Sequence, residues 1–171
     1  MKKLGSITNR TFDGDSVVLV DSRAKFGGWD VFGDAIADAD MLQLDLDGVH
    51  AYVDSILTID GDSIGTCDVH QCDNGRIWLV LEEEELSKEQ LEQLESESPS
   101  EMDKMGVVDV PSGTLVIAIS YPALNMVTHG NMEGVAHDAG ERLDIKVDAT
   151  SFVVMRFQGR YLLRPEQDRA T

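Results

Sequence analysis

Residues 41–54 read MLQLDLDGVHAYVD. Leu42, Leu44 and Leu46 alternate with Gln43 and Asp45, and Val49, Ala51 and Val53 alternate with His50 and Tyr52. A period of two puts each apolar set on one face of an extended strand, and Asp47-Gly48 between them suits a tight turn, so a β-hairpin is predicted. The same grammar continues outward. Ser55–Ile59 and Ile64–Cys72 are candidate strands separated by Asp60-Gly61, and Asp73-Asn74-Gly75 returns the chain into Arg76–Leu81. Upstream, Val17–Val20 is a β-branched run after Asp13-Gly14-Asp15, followed by a loop-like stretch from Ala24 to Gly33. Downstream, Thr114–Ser120, Leu143–Val147, Phe152–Phe157 and Arg160–Leu163 repeat the theme. Similar outlines at Gly14–Ser22 and Gly113–Tyr121 hint at an internal duplication, although two short apolar strands after a glycine are common enough to arise by chance.

One helix is specified between these groups. Ser87 and Gln90 form a capping box, Leu86 can staple onto Leu91, Glu89 and Glu92 suit the positive end of the helix dipole, and Ser98-Pro99 ends the segment. Leu91 and Leu94 face one way, so the helix either docks on a sheet or is ordered by a partner. The expected fold is therefore α+β and predominantly antiparallel β, with about eight to ten strands in two β-meanders and one short acidic amphipathic helix at about 88–97. One domain spans 1–171, with an N-terminal meander at about 16–81, the acidic helix and linker at 82–105, and a C-terminal meander at about 114–164.

The 171 residues carry a formal charge of −18, from 14 Lys plus Arg against 32 Asp plus Glu. From Phe26 to Glu141 there are 25 acidic residues and three basic ones, while the two ends together hold 7 acidic and 11 basic. Such a field repels nucleic acid and anionic membranes and attracts a basic protein partner. Lys2 and Lys3 lead into a polar segment rather than an export signal, and the apolar runs fall far short of the roughly 20 residues that span a bilayer, so the expected location is cytoplasmic. Cys67 and Cys72 lie five apart on one predicted strand and point to opposite faces, which disfavours a disulfide.

Chemical motifs are sparse. Asp60-Gly61-Asp62 begins like a calcium loop, but Ile64 and Gln71 stand where oxygen ligands belong. Cys67, His70 and Cys72 lack a second ligand pair for zinc. His129, Glu133 and His137 recur every fourth residue, yet on a helix the two histidines would lie about 12 Å apart, too far to share one ion, and Gly130 and Gly134 disfavour that helix. These three are the metal or catalytic candidates if the segment is a loop; no cofactor motif and no glycine-flanked nucleophile is present. The leading expectation is a non-enzymatic acidic binding protein, an inhibitor or immunity-type chain that covers a nuclease or another nucleic-acid-binding protein. Asp38, Asp40, Asp45, Asp47 and Glu82, Glu83, Glu84 and Glu85 would supply charge, and Trp29 an apolar contact. A viral or phage structural or assembly protein is a second reading, and a small metal-dependent enzyme a third. For each element the plain alternative also stands: the acidic run as a solvated linker, Trp29 and the helix leucines as core, and the whole acidity as adaptation to a salty cytoplasm.

Overall fold

The computed structural model describes residues 1–8, 17–24, 41–46, 49–54, 66–81, 86–98, 100, 102–119, 142–157 and 160–166. Among them the chain forms β1 (Lys2–Thr8), β2 (Val17–Asp21), β3 (Met41–Leu46), β4 (Val49–Asp54), β5 (Thr66–Gln71) and β6 (Ile77–Leu81). After helix α1 (Lys88–Ser96) come β7 (Asp103–Asp109), β8 (Thr114–Ile119), β9 (Arg142–Lys146), β10 (Ser151–Phe157) and β11 (Arg160–Pro165). Each of the strand pairings is antiparallel. The expected hairpin at 41–54 is β3 against β4, with Leu46 opposite Val49. The strand candidate Ser55–Ile59 and the turn Asp60-Gly61 lie outside the described residues.

The hairpins do not lie in two separate meanders. A six-stranded sheet runs β1-β5-β6-β11-β10-β7 and a five-stranded sheet β3-β4-β2-β8-β9, so each takes strands from both sides of α1. Local alternation fixes hairpins such as β5–β6 and β10–β11 but leaves open where each hairpin inserts. Here β10 and β11 fill the gap between β6 and β7, and α1 crosses the strands that the chain skipped. Among the described residues three layers result. Ile7, Leu19, Val69, Leu79, Ile117, Phe152 and Leu163 belong to the core between the sheets, while Trp78, Val80, Val153 and Leu162 pack with Leu94 of α1 on the other face of the six-stranded sheet. Val18, Val20, Val116 and Ala118 are fully buried as well, so β2 and β8 are covered on both faces. That explains why Val17–Val20 and Leu115–Ala118 read as unbroken apolar runs rather than alternations.

The strand order is the same from either end. Pairing β1, β2, β4, β5 and β6 with β7, β8, β9, β10 and β11 maps the six-stranded sheet onto itself, and maps β4-β2-β8-β9 onto itself as well. The register agrees residue by residue. It is symmetric about Trp78 opposite Leu162 in one sheet and Leu19 opposite Ile117 in the other. Gly5, Val69 and Leu79 have Gly106, Val154 and Leu163 as their counterparts, joined by the same ladder positions. β1 and β7 each carry a bulge between a lysine and a glycine, which directs Leu4 and Met105 toward the core. The two halves are therefore structural repeats about a pseudo-two-fold axis. The likeness of Gly14–Ser22 to Gly113–Tyr121 falls on the equivalent pair β2 and β8, one residue out of register.

Candidate functional site

Most of the residues expected to bind a partner lie outside the described residues: Trp29, Asp38, Asp40, Asp47 and Glu82, Glu83, Glu84 and Glu85. The same holds for His129, Glu133 and His137, and for the calcium-like loop at Asp60. Asp45 is described in its backbone, on the edge strand β3 at the register position opposite His50.

The edges of the two sheets meet at two seams. At one, β1 approaches β9 so closely that a Cβ on Gly5 would lie 3.0 Å from Leu143 Cδ1. At the other, β7 meets β4. Here β2 leaves β4 after Leu19 opposite Tyr52, and the His50 N–H beyond that point donates to Asp109 Oδ2 at 2.8 Å. His50 Nδ1 contacts the same oxygen, also at 2.8 Å, and with an ionised carboxylate the ring must donate. Burial raises the Asp109 carboxyl, but the bonds from the His50 N–H, the His50 ring and Ser151 outweigh it and hold the group below its ordinary value. Nε2 is then the basic nitrogen of a half-exposed ring, an arrangement that orients a base. Ser151 Oγ, bonded to the same carboxylate, also lies 3.3 Å from Glu166 Oε2.

A second polar cluster ties the β7–β8 turn to β2. Asp21, 2% exposed, accepts the Arg23 N–H on Oδ1 and the Ser112 N–H on Oδ2, both at 2.7 Å. Val110-Pro111-Ser112-Gly113 forms the turn, closed by the Gly113 N–H to Val110 O at 3.0 Å, and Gly113 takes φ 72°, where a Cβ is strained. Ser112 Oγ lies 3.0 Å from Ser22 Oγ. This cluster satisfies backbone donors where the chain passes from one sheet to the other.

Cys67 and Cys72 are free thiols on opposite faces of the six-stranded sheet, as their parity requires. Burial, with Asp68 adding to it, pushes Cys67 up to about 12, so it stays a thiol at neutral pH. Cys72 is raised by burial and by Glu95. His70 is buried, and no group of three His, Cys, Asp or Glu side chains suited to a metal occurs among the described residues. No described helix is long and apolar enough to cross a membrane. No known protein family, curated protein or solved structure matches the chain. Reading the sequence missed the His50–Asp109 and Asp21–Ser112 pairs, which are 59 and 91 positions apart and carry no local motif.

Proposed function

We propose that the protein is an acidic binding module of inhibitor or immunity type, which neutralises a basic partner such as a nuclease toxin or another nucleic-acid-binding protein. The observation that carries this reading is the uneven charge of the sequence, with 25 acidic and three basic residues from Phe26 to Glu141 in a chain of formal charge −18. A field of that sign attracts a cationic surface, and complementary potentials speed encounter. Asp45 on an edge strand suits the same role. Edge-to-edge assembly of many copies is less well supported, because the edge strands β1, β7 and β9 each face another strand across a seam.

The test is capture from a host lysate on immobilised full-length protein at low and then raised salt. The expected result is retention of one basic protein that elutes as salt rises, with an on-rate that falls when Glu82, Glu83, Glu84 and Glu85 are replaced by Gln. Retention of nothing basic, or retention indifferent to both salt and those four residues, would sink the reading.

A further inference from the structure

Cys72 Sγ donates to Met1 Sδ at 3.5 Å on the face of the six-stranded sheet that α1 covers. Both sulfurs belong to buried groups, Cys72 being 4% exposed and the Met1 side chain 1%. Their meeting follows from the register, because Lys2 pairs with Gln71 in the antiparallel ladder and so brings Met1 beside Cys72. His70, 5% exposed, pairs with Lys3. It lies two positions before Cys72, hence on the same face and about 6.6 Å away along the strand. A thiol, a thioether and an imidazole thus occupy one corner of this face.

The pseudo-symmetry separates what the scaffold needs from what this corner adds. The counterparts of Met1, His70 and Cys72 in the other half are Met102, Met155 and Phe157, which pack in the same apolar cluster. Hydrocarbon and thioether therefore fill the equivalent corner, whereas a histidine must give up water to be buried here. Packing alone does not account for His70 and Cys72.

The donor set selects the ion. Two soft sulfurs and an imidazole suit Cu(I), while zinc is held by thiolate, imidazole and carboxylate rather than thioether. Charge agrees, since one thiolate cancels a monovalent ion and a divalent ion would leave a positive charge in a buried place. Metal–sulfur bonds of about 2.3 Å set two sulfurs of one trigonal ion about 4 Å apart, so the flexible Met1 thioether need yield only about half an ångström.

We propose that this corner binds a single Cu(I) ion through the Cys72 thiolate, the Met1 thioether and the His70 imidazole. The ion replaces the Cys72 thiol proton, which leaves to solvent, and copper stays Cu(I) with no electron transferred. Because burial, with Glu95 adding to it, raises Cys72 and holds it as a thiol, affinity increases with pH.

The experiment is anaerobic titration of the full chain with Cu(I) in competition with bicinchoninate, followed by X-ray absorption of the loaded protein. One Cu(I) per chain is expected to leave the chelator, with two sulfurs and one nitrogen as its nearest neighbours. Cys72→Ala should weaken retention about a hundredfold and His70→Leu about tenfold, while Cys67→Ala, on the other face, should hold copper like the parent. The absorption spectrum of the parent decides the matter even where a variant fails to fold. The proposal is overturned if bicinchoninate keeps the copper, if the loaded parent shows fewer than two sulfurs around the ion, or if folded Cys72→Ala binds as the parent does.

Discussion

Asp21 and Asp109 show how single carboxylates hold this molecule together. Each accepts backbone N–H groups that the strand ladders leave over, and each joins segments far apart in sequence. Asp21→Ala strands two donors in a buried place and should cost about 1–3 kcal/mol, read as a lower urea midpoint with unchanged slope. For Asp109 the sign follows from its lowered value. A carboxyl held below its ordinary 3.8 contributes stability that is complete above that value and is lost as pH falls through the lower folded one. Asp109→Asn should therefore weaken the protein at neutral pH and flatten its acid-side loss of stability below about pH 4. If the variant's acid limb overlays that of the parent, the carboxylate is not the linkage. These residues were hidden in the sequence because their partners are brought close only by the meeting of two sheets.

At the scale of the element, α1 was the most legible feature. Ser87, Gln90 and the Leu91/Leu94 spacing specify a start, a cap and a face, and the helix begins at Lys88 with both capping-box bonds formed. Ser87→Ala should cost about 0.5–2 kcal/mol, and Leu94→Ala, which empties the buried contact with the sheet, about 2–5 kcal/mol, both measurable by chemical denaturation. β1 and β7 escaped notice for a physical reason. KKLGSIT and DKMGVVD each hold charge, a glycine and a bulge, which breaks the period of two exactly where an edge strand must bend. Gly5→Val would drive a branched side chain into Leu143 and is expected to lower the melting temperature, at a cost of about 1–3 kcal/mol, whereas Gly5→Ala asks only that the end of the Leu143 side chain shift slightly. Hairpins were legible because their partners are neighbours; the order of hairpins in a sheet was not, because it is set by long connections.

For the whole molecule, the formal charge of −18 over 171 residues sets the response to salt, and added salt should screen mutual repulsion and raise the melting temperature between about 0.01 and 0.3 M NaCl. A flat or falling response would mean that the acid is too dispersed to repel itself. The repeat of β1, β2, β4, β5 and β6 by β7–β11 also has a consequence for synthesis. A ribosome delivers the first half before its counterpart exists, and at that moment the free sides of β2 and β6 each present a row of unpaired peptide groups. The strands that will cover them, β8 and β11, are equivalents of β2 and β6 themselves. Two unfinished chains thus offer one another the same edges that each later finds in its own second half.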